Sequence, residues 1–177
     1  DPHIWLDPSN AKAMVGTMAA VLGAIDPANR ARYRENGDKA RMRIDALDEE
    51  LRAALAPVRH VPFVVFHDAF QYFEHHYGLN AVAAITLTPE QKPGVRRVRE
   101  IRRRLRELGV RCVFTEPQFE PALARTIVGG TGARTGILDP LGADIPPGPD
   151  AYLTLMRRLA QGLTDCLGSA GPPDARG

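Results

Sequence analysis

Residues 61–67 read VPFVVFH, an apolar, largely β-branched and aromatic run that ends in a histidine. Such a short apolar run is typical of a buried β-strand. A short helix is predicted directly after it, over 69–77. The same alternation of strand and helix then repeats along the chain, so this stretch decides the fold.

Three further strand-like runs follow, each with a helical stretch after it. The strands are predicted at 81–87, 111–115 and 134–138, and the helices at 94–108, 121–129 and 149–167. Strands that alternate with helices indicate a parallel sheet, joined by right-handed crossovers. The sequence therefore predicts an α/β fold, a four-stranded parallel sheet with helices on both faces.

The first third of the chain has a different, helical pattern. Capping residues and a proline at 7–10 (DPSN) mark a helix start, and Asp26-Pro27 interrupts the helical periodicity before it resumes over 28–56. We predict one long, kinked connecting helix within a first unit, 1–56. The α/β unit then spans 57–167, and the Gly- and Pro-rich end, 168–177, is expected to be disordered.

Composition narrows the class of protein. The 177 residues are 44% hydrophobic and 25% charged, as in globular proteins, and the formal charge of +2 does not favour a nucleic-acid partner. No segment approaches the roughly 20 apolar residues that a membrane-spanning helix needs. The arginine-rich stretch 96–106 is interpreted as the solvated face of an amphipathic helix, with an anion- or partner-binding face as the alternative.

The two cysteines, Cys112 and Cys166, leave two possibilities open. Their spacing fits neither a zinc ribbon nor a CxxC redox pair. They are either two buried free thiols in a cytosolic protein or one disulfide in an exported protein.

Polar residues follow three of the predicted strands: His67, Glu116 and Asp139. Taken singly, each has an ordinary interpretation as a capping, pairing or turn residue. A parallel sheet, however, gathers the carboxyl ends of its strands along one edge, where ligands bind. Imidazole and carboxylate are ligands for zinc and neighbouring metals, so the convergence favours a metal site.

The remaining four histidines have different interpretations. His3 lies in the aromatic-flanked opening DPHIWLDP and is the further candidate metal ligand. His60, His75 and His76 are expected at the surface, since adjacent helical residues such as His75 and His76 diverge and chelate poorly.

An ordered set of motifs resembles the zinc and manganese substrate-binding proteins of bacterial ABC importers. The set is DPHIWLDPSNAKAM (1–14), DPANRARYRENGDKA (26–40), VVFHDAFQYFEHHYGL (64–79), VFTEPQF (113–119) and ILDPLGAD (137–144). The match extends over residues 1–167. It covers the family's connecting helix and C-terminal lobe and not the N-terminal lobe, which supplies another histidine ligand. Alone, this portion would have a site that lacks one wall and one ligand.

The resemblance implies roles for particular residues. His3, His67 and Asp139 match metal ligands, and Glu116 matches a residue that supports the site. Histidine at position 67 resembles the zinc type, whereas manganese-type members often have glutamate, so Zn²⁺ is expected and Mn²⁺ is the alternative. The resemblance also pairs Cys112 with Cys166 in a disulfide.

The function implied is that of a monomeric, extracytoplasmic or periplasmic binding protein, not an enzyme. It would capture Zn²⁺ and deliver it to a membrane permease of the ABC type. Three alternatives stay open: a manganese-specific member of the family, a surface adhesin, and a metal-dependent hydrolase with Glu116 as the base.

Overall fold

The computed structural model describes residues 1–86, 94–118 and 121–168, which form six α-helices and four strands. The helices are α1 (Pro8–Ile25), α2 (Arg30–Leu55), α3 (Gln71–Tyr77), α4 (Val95–Glu107), α5 (Pro121–Val128) and α6 (Ala151–Gly168). The strands are β1 (Phe63–His67), β2 (Ala81–Thr86), β3 (Cys112–Thr115) and β4 (Arg134–Ile137). Gly168 closes α6, and the rest of the predicted tail lies outside the described residues, as does Leu87.

The four strands form one parallel sheet in the order β2-β1-β3-β4. This confirms the predicted α/β class. Val65 of β1 is opposite Phe114 of β3, which in turn is opposite Gly136 of β4. The carboxyl ends of these three strands therefore lie side by side at one edge of the sheet.

Helices cover both faces of the sheet, as predicted. Side chains alternate along a strand, so Phe63 and Val65 point to one face and Val64 to the other. The first face packs against α2, α3 and α6, and the second against α4 and α5. Both layers are almost fully buried, which fixes the register of β1 and hence the position of the residue at its end.

Two close contacts hold β4 and α6 against β3. A disulfide joins Cys112 of β3 to Cys166 of α6, with the Cα atoms 6.3 Å apart, and this confirms the predicted pairing. Gly136 of β4 packs under the ring of Phe114, where an added Cβ would come within 2.5 Å of the ring. Only glycine therefore allows this approach.

The connecting segment differs from the prediction of one kinked helix. The chain reverses between α1 and α2, which pack as an antiparallel pair: Lys12 Nζ lies 2.5 Å from Asp45 Oδ1. Close approach is possible because Gly37 faces Ala19, whose Cβ would be 3.0 Å from an added Cβ. The single long helix is thus corrected to a helical hairpin.

The reversal has a local cause at Asp26. Pro27–Asn29 form a 3₁₀ turn, and the Asp26 carboxylate accepts hydrogen bonds from Asn29 Nδ2 at 2.7 Å and from the Tyr33 hydroxyl at 3.0 Å. These bonds hold the chain in a turn rather than a kink. None of the helices in 1–86, 94–118 and 121–168 is both long and apolar enough to cross a membrane.

Candidate metal centre

His67 and Glu116 meet because they end neighbouring parallel strands. His67 is the last residue of β1, and Glu116 directly follows β3. The Nδ1 atom of His67 lies 3.3 Å from Glu116 Oε1 and 3.4 Å from Oε2. The side chain of Glu116 is 5% exposed and that of His67 is 16% exposed, so the pair is largely shielded from water.

His3 packs next to this pair from the opposite end of the sequence. Its ring centroid is 5.5 Å from that of His67 and 5.2 Å from that of Trp5. Trp5 fixes the segment, because its indole N–H donates to the Pro140 carbonyl at 3.1 Å and its carbonyl accepts from the Tyr152 hydroxyl at 3.0 Å. The segment that carries His3 is thereby fastened to the loop after β4 and to α6.

Each of the two imidazoles has a carboxylate at Nδ1. His3 Nδ1 lies 2.7 Å from Asp1 Oδ1, and His67 Nδ1 faces Glu116. A carboxylate at Nδ1 makes that nitrogen the N–H donor and leaves the lone pair on Nε2. Carboxylate partners orient metal-binding histidines in this way and raise their basicity.

Asp139 lies at the adjoining strand end but is bonded differently. Its Oδ1 accepts from the Leu141 N–H at 2.9 Å, and its Oδ2 accepts from the Ala143 N–H at 2.8 Å. Gln118 Nε2 donates to Oδ1 at 3.3 Å. The structure therefore places His3 beside His67 and His67 beside Glu116, and it uses the carboxylate of Asp139 to hold the loop after β4.

The charges at this sheet edge favour different protonation states. Burial lowers the pKa of His3, which favours the neutral form of the imidazole that can bind a metal. Burial raises the pKa of Glu116, and its interaction with His67 opposes that shift. Burial also tends to raise the pKa of Asp139, but its backbone hydrogen bonds outweigh this and leave its pKa lowered.

Glu116 has an unsatisfied atom. Its Oε1 is buried and, despite the nearby imidazole, has no hydrogen-bond partner in the part of the chain that the structure describes. Buried carboxylate oxygens are rarely left in this condition, since the desolvation cost is not recovered. Within the described ranges, no three His, Cys, Asp or Glu side chains are already grouped as a metal-holding set. The candidate metal ligands are thus near one another but do not form a complete coordination site.

Two contributors were missed from the sequence. Asp1 was not singled out, although it stands two residues before His3, a separation short enough for side chains to meet. No sequence pattern predicted the role of Gln118, because its hydrogen bond to Asp139 joins residues 21 positions apart. Only the spacing of Asp1 offered a signal in advance.

Comparison with known proteins places the chain in a family. A family model described as zinc-uptake complex component A, periplasmic (ZnuA), matches residues 1–166. The high-affinity zinc uptake system protein ZnuA of Brucella abortus is 50% identical over 167 residues, which cover 94% of this chain and 50% of that protein. The chain thus spans about half the length of the curated relatives it matches.

Solved structures agree with this match. A crystal structure of ZnuA has a TM-score of 0.81 and 30% identity, covering 94% of this chain and 60% of the other. A mutant of the laminin-binding adhesin Lmb from Streptococcus agalactiae has a TM-score of 0.82 and 33% identity, covering 94% and 63%. From the matched sequence and the shared fold, the chain belongs to the ZnuA family.

Proposed function

We propose that this chain is the metal-capturing part of a zinc-binding protein that delivers Zn²⁺ to an ABC-type membrane permease. The observation that carries the proposal is the pairing of His3 with His67. Their ring centroids are 5.5 Å apart, and each has its Nδ1 against a carboxylate. Two oriented imidazoles at one sheet edge form a suitable half-site for zinc.

In the proposed zinc-bound state, His3 and His67 supply Nε2 lone pairs and Asp139 supplies a carboxylate oxygen. The lowered pKa of Asp139 keeps that carboxylate ionised. Glu116 acts through His67 rather than on the ion, because it faces Nδ1. Its raised pKa reflects a buried charge that a nearby cation would stabilise.

Zinc is favoured over manganese by the ligand types, since imidazole suits zinc whereas carboxylate and water suit manganese. The relatives are named for zinc uptake, which favours a transport protein over a hydrolase. The family is described as periplasmic, and the Cys112–Cys166 disulfide fits an oxidising compartment outside the cytoplasm. The permease is the partner that follows from this role.

Titration with Zn²⁺ against a competing chelator tests the proposal. Parent protein is compared with His67→Ala and with His60→Ala, which removes an exposed imidazole away from the strand edge. Outer-shell changes at zinc sites cost about 10- to 100-fold in affinity, so loss of the ligand His67 should cost at least about 100-fold. His60→Ala should bind like the parent.

A His67→Ala variant that binds zinc as tightly as the parent would refute the proposed site. A parallel titration with Mn²⁺ separates the metals. Tighter binding of manganese than of zinc would replace the zinc assignment with the manganese-specific alternative.

A further inference from the structure

The imidazole of His76, on α3, lies between two carboxylates from distant parts of the chain. Its Nδ1 is 3.0 Å from Asp7 Oδ1, and its Nε2 is 2.8 Å from Asp48 Oδ1. The three side chains are 12%, 21% and 13% exposed for His76, Asp7 and Asp48. We call this set the His76 clamp, and it joins α3 both to α2 and to the residue that caps α1.

Both ring nitrogens of His76 have a polar neighbour. Nε2 makes a hydrogen bond with Asp48 Oδ1 at 2.8 Å, and Nδ1 makes a close polar contact with Asp7 at 3.0 Å. Arg52 Nη2 lies 3.3 Å from His76 Nε2 and pairs with Asp48 Oδ2 at 3.3 Å. The ring is therefore fixed between α2 and the start of α1.

Two phenols, those of Tyr77 and Tyr152, lie near the carboxylates of the clamp. Burial and the nearby carboxylates raise the pKa of both, so both stay neutral. Arg52 is the cationic group that pairs with Asp48. The clamp therefore combines carboxylates, an imidazole and a guanidinium in a partly buried contact between helices.

Asp7 connects the clamp to the segment that carries His3. Its carboxylate caps α1 by accepting from the Ser9 N–H at 2.7 Å. Its own N–H donates to the Ile4 carbonyl at 3.3 Å and so closes the 3₁₀ turn Ile4–Leu6, which His3 precedes. Leu6 is fully buried within that turn. A short, packed path therefore runs from Asp7 to the His3 ring.

We propose that His76 is a positioning residue for zinc capture, whose ring contacts Asp7 and thereby holds His3 beside His67. The inference rests on the proposed function, and it identifies the contact that positions His3, one of the proposed zinc ligands. His76 itself does not touch the ion. Without the clamp the His3 segment is ordered only when zinc binds, so the cost of that ordering is subtracted from the affinity.

The test compares His76→Gln with His75→Gln, a control at the adjacent, exposed position of α3. His76→Gln should weaken zinc binding about tenfold, as outer-shell changes do, and His75→Gln should leave it within about twofold of the parent. In a His3→Ala background, His76→Gln should cause no further loss, because residues that act as a unit are not additive. Equal losses in both backgrounds would overturn the proposal.

A metal-free measurement keeps this test separate from the proposed function. The ring signals of His3 in ¹H–¹³C NMR spectra should move in His76→Gln and stay in place in His75→Gln. If the parent does not bind zinc, the proposed function fails, while these signals still decide whether the clamp positions His3. Unmoved His3 signals would overturn the clamp.

Asp7→Asn serves as a second variant in case His76→Gln does not fold. Asparagine caps helices as well as aspartate, so α1 should persist while the charge that faces His76 is lost. It should move the His3 signals in the metal-free protein and weaken zinc binding as His76→Gln does. A folded Asp7→Asn protein with parental His3 signals would count against the proposal.

Discussion

His67 and His76 both meet carboxylates, but they do so in opposite ways. His67 places one nitrogen 3.3 to 3.4 Å from Glu116, whose buried Oε1 has no hydrogen-bond partner among the described residues. His76 has both nitrogens within 3.0 Å of carboxylates. The His76 clamp joins three helices and fixes the fold around it, whereas the buried carboxylate of Glu116 would gain from an added cation nearby.

Their positions explain the difference. The pair of His67 and Glu116 lies beyond Val65 and Phe114, the last residues that pair between β1 and β3. The His76 clamp lies between helices, where α2, α3 and the start of α1 supply partners from three directions. The carboxyl edge of the sheet is thus suited to binding a ligand, and the contact between helices is suited to holding these helices together.

The largest expected effect comes from removing the Cys112–Cys166 disulfide. We expect this disulfide to support the pair of His67 and Glu116 and not the His76 clamp. The Cys112→Ala, Cys166→Ala double variant releases a constraint across 54 residues, worth about 4 kcal/mol of unfolding free energy in the chain-entropy view. Denaturant unfolding measures this loss, and the parent in reductant serves as the control. Because β3 leads to Glu116, the His67 ring signals should move while those of His76 stay.

Less than about 1 kcal/mol of lost stability would show that packing alone holds β3 to α6. If the His76 signals moved and the His67 signals did not, the disulfide would support the His76 clamp and not the pair of His67 and Glu116, contrary to our expectation.

Acidification should weaken zinc binding at the sheet edge. Zinc requires neutral imidazoles, so protons compete with it for His3 and His67. Between about pH 7.5 and about pH 5.5 we expect zinc affinity to fall roughly 10- to 100-fold. The lowered pKa of His3 keeps its ring neutral below the ordinary value of 6.5 and so limits the loss.

Zinc titrations across this range measure the effect. The His3→Ala variant should bind more weakly at every pH but with a shallower pH dependence, since one imidazole fewer competes with protons. Zinc affinity that is constant or rises as the pH falls would contradict the assignment of histidine ligands.

The smallest expected effects are those of a substitution at Glu116, which should raise the stability of the fold and weaken zinc binding. Folding raises the pKa of Glu116, so the folded state loses stability as the pH rises through that pKa. At neutral pH, Glu116→Gln should therefore raise the free energy of unfolding by about 1 kcal/mol. It should also weaken zinc binding about tenfold, because His67 loses its carboxylate partner.

Asp48→Asn is the matched change in the His76 clamp and should lower stability, because that carboxylate is fully used. Thermal unfolding of the metal-free proteins separates the two variants. A loss of stability in both would show that the two clusters do not differ in kind.

The strand edge was predictable because its signal is local. The apolar run before His67 defines β1, and a residue that follows a parallel strand must lie at the carboxyl edge. The same reasoning placed Glu116 beside it. The sheet, its two covered faces and this contact follow from the order of strand and helix along the chain.

The helical reversal was not predictable in the same way. Asp26-Pro27 interrupts a helix whether the chain kinks or turns back. The turn at Asp26 is completed by the close packing of Gly37 against Ala19, and a glycine inside a helical pattern reveals no partner. The antiparallel pair of α1 and α2 therefore depends on a tertiary contact.

The expectation of a surface position for His76 was wrong for a related reason. Its partner Asp48 is 28 residues away, on a helix whose orientation the sequence did not give. Asp139 was correctly placed near the end of β4, but its hydrogen bonds with Leu141 and Ala143 depend on the loop conformation. Its role as a ligand stays a prediction.

Trp5 gives the molecule a built-in optical reporter. It is the single tryptophan of the chain, and its indole stands 5.2 Å from the His3 ring, tethered to the Pro140 carbonyl. Any rearrangement of His3 changes the surroundings of this one fluorophore. Its emission spectrum and quenching can therefore follow events at the sheet edge in unlabelled protein, with no background from other indoles.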